Sequence, residues 1–300
     1  MNDKQQVEVA GRRLAIGNLD KILYPATETT KGEVLHYYAT VAPVLLPQLA
    51  HRPVTRIRWP EGVGGISFFE KNLPSGAPDW LDRVTFASSG SRGGGDSVTY
   101  PLVDDLAGLT YLANLASLEF HVPQWRVQDG DAVNPDRLVV DLDPGAPAGL
   151  PECAELALLV RERLADRGYD RTVPVTSGSK GLQVYAALPG SATSDEVRDD
   201  MRTLAQELTK AQPERVVWKM TTSLRKGKIL LDWSQNTAAK TTICPYSMRG
   251  KDRPTVAAPR TWEEMEQGAG APDTLRQLDI TEVMDRLDDL GDLMASLTET

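Results

Sequence analysis

Leu138-Val139-Val140-Asp141-Leu142-Asp143-Pro144-Gly145 is the stretch on which the reading of the fold turns. An apolar, β-branched run stops at a Pro-Gly turn signal, so Arg137 to Asp143 is predicted as a strand. Residues two apart on a strand face the same way, which sets the carboxylates of Asp141 and Asp143 side by side at its end. Two such anions repel unless a cation stands between them. Mg²⁺ and Mn²⁺ favour carboxylate oxygens and suit the pair. A strand exit with two solvated aspartates is the plainer alternative, and D-x-D alone does not separate the two.

Downstream, Thr172 to Thr176 and Leu182 to Leu188 are predicted strands around the turn Ser177-Gly178-Ser179-Lys180-Gly181, followed by Gln183. Glycines let backbone N–H groups approach phosphate oxygens, the hydroxyls add donors and Lys180 adds charge. It is not a Walker A loop, and a plain hairpin with a solvated lysine is an even alternative. Leu230-Leu231-Asp232-Trp233 is an apolar strand ending in an acid, which supplies a third carboxylate if it meets the pair. Arg215, Lys219, Arg225, Lys226, Lys228, Lys240, Arg249, Lys251 and Arg253 surround it, a clustering that attracts triphosphate or a nucleic-acid backbone.

Outward from this centre, Lys31 to Leu49 reads as a helix with Thr30 as N-cap and Glu33 completing a capping box. Leu106 to Phe120 reads as a second, apolar helix, Leu150 to Arg167 as an amphipathic one closed by Gly168, and Ser194 to Lys210 as a polar one capped by Ser194. Pro272 to Leu297 reads as one or two acidic helices broken near Gly291. Ser88 to Gly95 is a flexible Ser/Gly loop. In Phe68-Phe69-Glu70-Lys71-Asn72 adjacent rings on a strand face opposite ways, so one is expected in the core and the other as a stacking platform for a base. Mixed strands and helices without strict alternation indicate an α+β fold, and no composition break divides residues 1–300.

Composition narrows the class. The 300 residues, 41% hydrophobic and 25% charged, support a packed core without a disulfide or metal staple. Neither a secretory signal nor a membrane span is expected, and Cys153 and Cys244 are expected as free thiols. Three histidines, His36, His51 and His121, disfavour a multi-histidine zinc site. The net charge of −9 speaks against a nucleic-acid partner only until it is divided. Residues 256–300 carry 3 basic and 11 acidic side chains, whereas 215–255 carry 9 basic and 2 acidic ones. The acidity is mainly that of a C-terminal segment.

D-x-D on a strand, a Ser/Lys/Gly turn and a later strand-borne Asp, in this order, resemble the archaeo-eukaryotic primase superfamily. The resemblance is nearest to the polymerase domain of bacterial ATP-dependent DNA ligase D. It runs through Asn18-Leu19-Asp20-Lys21, Phe68-Phe69-Glu70-Lys71-Asn72, Leu118-Glu119-Phe120-His121, Val140-Asp141-Leu142-Asp143-Pro144-Gly145, Asp232-Trp233-Ser234-Gln235-Asn236 and Cys244-Pro245-Tyr246-Ser247-Met248-Arg249.

The resemblance implies a primase-like α+β core of mixed and antiparallel sheets flanked by helices. It also implies template-dependent nucleotidyl transfer with Mn²⁺ or Mg²⁺, favouring NTPs over dNTPs. Asp141, Asp143 and Asp232 then match metal-binding catalytic carboxylates. Ser177, Lys180, Gln183, His121, Arg225 and Arg249 match residues around the incoming nucleotide. Asn18, Lys21 and Lys31 match a pocket for the 5′-phosphate at the downstream edge of a gap, and Phe68 and Phe69 match rings that orient the template. The expected partner is gapped or broken DNA in a bacterial cytoplasm, associated with the nucleoid.

Two departures accompany the match. The family's turn usually ends Lys-Gly-Leu-His, where this sequence has Gln183. No nuclease or ligase domain accompanies the motifs, so sealing is expected from a separate DNA ligase with end-joining factors. The rival readings are a de novo primase and a non-catalytic or weakly active binder of DNA ends.

Overall fold

The computed structural model describes residues 4–87 and 97–298, so the whole Ser88–Gly95 loop lies outside the described residues. Its centre is a six-stranded sheet whose order is Val216–Val217, Ile229–Asp232, Arg137–Pro144, Leu182–Ala187, Thr172–Thr176, Ala258–Pro259. Only the first pair is parallel. Arg137–Pro144 thus lies between two antiparallel partners, and its even-numbered side chains Leu138, Val140 and Leu142 face one way. They are fully buried against the helices Leu150–Ala165 and Ser194–Ala211 through Cys153, Leu156, Val160, Met201 and Leu204. Val139 and Tyr185 face the other way and join a second core with the helix Lys31–Leu49.

That second core also contains a four-stranded sheet ordered Thr242–Ile243, Ser117–Val122, Thr55–Arg58, Phe68–Glu70. The predicted helix at Leu106 to Phe120 is corrected here. The helix stops at Asn114, Ala116 takes a left-handed conformation (φ 59°), and Ser117–Val122 continues as a strand. A short apolar run fits either structure, and pairing with Thr55–Arg58 decides it.

Lys31–Leu49 is the helix its sequence predicts. Thr30 Oγ1 accepts from Glu33 N, and Glu33 Oε2 accepts from Thr30 N at 2.7 Å. Pro43 and Pro47 lie inside it, yet the helix persists because Val34, Tyr37, Tyr38, Val41, Leu45 and Leu49 are buried along one face. The N-cap of Ser194–Ala211 is Thr193 rather than Ser194, with Glu196 as its reciprocal partner. Gly168 adopts φ 84° just past the Leu150–Ala165 helix.

The acidic C-terminal segment is not a solvated face throughout. Leu275, Leu278, Ile280, Val283, Met294 and Leu297 are buried, and the Ile280–Leu290 helix ends at Gly291. Trp262–Gly270 is a further helix in this segment. Cys153 and Cys244 are free and buried. Among the described residues no helix is long and apolar enough to cross a membrane.

Candidate active site

The strand register assembles the centre of the site. Asp141 stands opposite Gln183 in one neighbouring strand and opposite Asp232 in the other. Directly opposed residues of an antiparallel pair share a face with Cβ atoms about 5 Å apart, so all three project toward the four-stranded sheet. Asp143, two residues on, shares the face. Here lies a 320 Å³ cleft walled by His121, Asp141, Asp143, Ser177, Lys180, Gln183 and Arg249.

Asp141 is held well above the ordinary carboxylate range, first by burial and then by the charges of Asp143 and Asp232. Gln183 Nε2 opposes this by donating to Asp141 Oδ1 at 3.1 Å. Gln183 Oε1 lies 3.2 Å from the Tyr185 hydroxyl, which also reaches Ile243 O at 3.1 Å.

The donor chemistry fits a hard divalent cation. Asp141 and Asp143 are a crowded anionic pair that a cation would relieve. Asp232 stands apart in its hydrogen bonding. Its Oδ1 accepts from Ser234 N and Oγ at 3.0 and 2.5 Å, and its Oδ2 accepts from Gln235 Nε2 at 3.0 Å. Lys240 Nζ lies 3.7 Å from the same Oδ2. Among the described residues no group of three His, Cys, Asp or Glu side chains is drawn together as a metal cage.

The Ser177–Gly181 turn is pre-formed. Ser177 Oγ accepts from Ser179 N and Gly181 N at 3.3 and 3.2 Å. Gly178 takes φ 68°, and a Cβ there would come within 2.5 Å of Arg249 Cγ, so glycine permits Arg249 to cross the turn.

Three residues escaped the sequence reading. Glu119, nearly buried, gathers the cationic side of the cleft: its Oε2 is 2.8 Å from His121 Nε2 and 3.4 Å from Arg249 Nη1. Its Oε1 accepts from Gly250 N at 2.9 Å. Gln277, in the C-terminal segment, accepts from Gly178 N at 2.6 Å and donates to Gly181 O at 3.1 Å, bracing the turn. Asn236 accepts from Val139 N and donates to Val139 O at 2.9 and 2.7 Å, completing backbone pairing beyond Asp232. Proximity to motif residues was the only sequence signal for Glu119 and Asn236, and Gln277 had none.

Other expected residues lie elsewhere. Arg225 is not in the cleft wall, and its Nη2 donates to Met220 O at 2.6 Å. Its backbone passes against Gly145, where a Cβ would meet Arg225 O at 1.9 Å. Phe68 and Phe69 are both exposed, at 47% and 60%, which corrects the expectation that one is core. Their strand is the sheet's last, and Glu70 beside them pairs with Arg56 and Arg58.

Asn18, Lys21 and Lys31 come together away from the cleft. Asn18 is left-handed (φ 58°), Lys21 N donates to Asn18 O and Lys31 N donates to Lys21 O. Lys21 Nζ pairs with Glu61 at 2.8 Å, and Lys31 Nζ donates to Gly17 O at 2.7 Å. Burial, and secondarily Lys21, bring the Lys31 ammonium down to about 8.

A profile of the LigD primase-polymerase domain matches residues 30–294. This chain belongs to the LigD primase-polymerase family. The multifunctional non-homologous end joining protein LigD of Mycolicibacterium smegmatis is 50% identical over 285 residues, covering 95% of this chain and 36% of that protein. The bifunctional end joining protein LigD of Bacillus subtilis is 34% identical over 255 residues, covering 85% of this chain and 40% of that protein. The chain therefore spans well under half the length of these LigD relatives. Its structure resembles the polymerase domain of Mycobacterium tuberculosis ligase D in complex with DNA. The TM-score is 0.88 and the identity 47%, over 95% of this chain and 98% of that one. The primase-like α+β fold read from the sequence is borne out.

Proposed function

We propose that this LigD-family chain is a template-dependent nucleotidyltransferase that fills short gaps or mends broken DNA ends in bacterial end joining, favouring ribonucleotides. The observation that carries the reading is the register that sets Asp141 between Gln183 and Asp232, facing a cleft with Ser177, Lys180, His121 and Arg249. Asp141 and Asp143, with Asp232, are the residues that would hold Mn²⁺ or Mg²⁺. Bound there, such cations supply Lewis-acid stabilisation of a triphosphate and ease deprotonation of a primer 3′-hydroxyl.

The protein's own groups do the rest. Lys180 and Arg249 bring positive charge to the triphosphate and to the oxygens of departing pyrophosphate. The Ser177 hydroxyl, whose oxygen already accepts two backbone N–H groups, keeps its proton to donate to a phosphate. Glu119 orients His121 and Arg249 from behind. Phe68 and Phe69 offer exposed rings for template bases. Asn18, Lys21 and Lys31 receive the 5′-phosphate at the far edge of the gap by charge-assisted hydrogen bonds. The DNA ligase that completes the repair is the expected partner.

The test is primer extension on a duplex with a one- to three-nucleotide gap, with Mn²⁺ or Mg²⁺ and with NTPs or dNTPs. Extension that follows the template and is stimulated by a downstream 5′-phosphate is expected. Absence of extension under all these conditions would leave an end-binding protein.

A further inference from the structure

A 390 Å³ cavity opens beside the Asn18–Lys31 cluster, within the roughly 300–1,000 Å³ range of small-molecule sites. Its wall includes Asn18 and Lys31 together with Lys4, Arg13, Trp80 and Tyr111. Lys21 is not part of this wall, so a phosphate held between Lys21 and Lys31 sits at the cavity's rim. A lone phosphate leaves most of the space, two further cations and two rings unused.

The walls are chemically divided. Lys4 and Arg13 come from the hairpin Lys4–Val9 and Arg12–Gly17 and bring positive charge. Trp80 and Tyr111 meet edge to face with ring centroids 6.2 Å apart. Arg12, outside the cavity wall, lies 5.7 Å from the Trp80 ring and helps to fix it. Cations beside aromatic rings are the combination that holds a phosphate together with a nucleobase.

We propose that this cavity takes one nucleotide joined to the 5′-phosphate at the gap edge, its base against Trp80 and Tyr111 and its phosphate toward Arg13 and Lys4. The inference rests on the 5′-phosphate reading of Asn18, Lys21 and Lys31 and extends it. Two chemical sources supply such a unit: an unpaired nucleotide of a phosphorylated 5′ flap, and a nucleoside phosphate in pyrophosphate linkage to the end, as in an adenylylated 5′ end.

The test is equilibrium binding of gapped duplexes without nucleotide substrate, using four downstream 5′ ends: hydroxyl, phosphate, a phosphorylated one-nucleotide flap and an adenylylated end. At least one extended end is expected to bind as tightly as the phosphate end or more tightly, and which one does so identifies the source. Arg13→Glu is expected to weaken that extended end tenfold or more while changing the phosphate end less than twofold, with Arg13→Lys restoring most of the loss. Arg13 is an exposed strand residue, so the fold survives its replacement, which circular dichroism checks. Trp80→Leu should reproduce the selective loss. Extended ends that bind no better than hydroxyl, or equal losses for phosphate and extended ends in Arg13→Glu, overturn the extension alone. Equal binding of phosphate and hydroxyl ends overturns the underlying 5′-phosphate reading and the extension with it.

Discussion

Gln183 Nε2 donates to Asp141 Oδ1 at 3.1 Å, across the strand pair that sets the two residues directly opposite. The contact gives the glutamine a place in the cleft beside the carboxylate pair. Its amide nitrogen faces the carboxylate, and its Oε1 lies 3.2 Å from the Tyr185 hydroxyl. Gln183→Ala is expected to slow gap extension about tenfold, the worth of one hydrogen bond to a charged group, about 1.5 kcal/mol. Mn²⁺ titration of the same variant should show weaker binding. Unchanged extension and unchanged Mn²⁺ affinity would remove the glutamine from the site.

Glu119 joins His121, Arg249 and the Gly250 N–H from a nearly buried position. Glu119→Gln removes the charge that balances Arg249 while keeping the size. A KM for the incoming nucleotide raised about tenfold, with a smaller change in kcat, is the expected outcome of steady-state kinetics. Equal effects on both constants would point to general damage instead.

Much of this site was legible because strand alternation is strict. Asp141 and Asp143 share a face by their spacing alone, and Asp232 ended a strand whose apolar run was visible. The capped helix Lys31–Leu49 was equally plain, since Thr30 and Glu33 are local signals. What escaped depends on pairing between distant segments. Ser117–Val122 is a strand only because Thr55–Arg58 lies beside it, and Gln277 reaches Gly178 across 99 residues of sequence. Phe68 and Phe69 were placed one in and one out, but an end strand of a small sheet left both faces open.

Lys31 gives the 5′-phosphate pocket a pH dependence. Burial, then Lys21, brings its ammonium from 10.5 down to about 8. Charged Lys31 therefore disfavours the folded state below pH 8, and this penalty is relieved as pH rises from 8 toward 10.5. Phosphate recognition runs the opposite way, because it needs the proton. The affinity ratio of 5′-phosphate to 5′-hydroxyl gapped DNA should fall between pH 7 and 9. In Lys31→Arg, whose guanidinium stays charged, the ratio should stay flat. A parent ratio independent of pH would contradict the assignment.

Asp136 holds a buried arginine. Arg52, 1% exposed, donates Nη2 to both carboxylate oxygens at 2.5 and 2.7 Å, and Arg126 Nε donates at 2.6 Å. Burial alone would raise the Asp136 carboxyl, but Arg52, Arg137 and Arg126 outweigh it and bring it to about 2. Its stabilising effect is present above pH 4 and is lost as pH falls through 2. Asp136→Asn strands the Arg52 charge and is expected to cost about 3 kcal/mol in urea unfolding at pH 7. That is the low end for a broken buried pair, because Asp136 is itself 37% exposed.

The most direct test of the central claim is extension of a one-nucleotide gap by Asp141→Asn in Mn²⁺, with binding of the same DNA measured in parallel. Asparagine keeps the shape of Asp141 between Gln183 and Asp232 and removes the charge that would hold a cation. Extension should fall at least a thousandfold, about 4 kcal/mol of lost transition-state stabilisation, with DNA affinity unchanged within twofold. Extension at the parent rate would contradict the central claim.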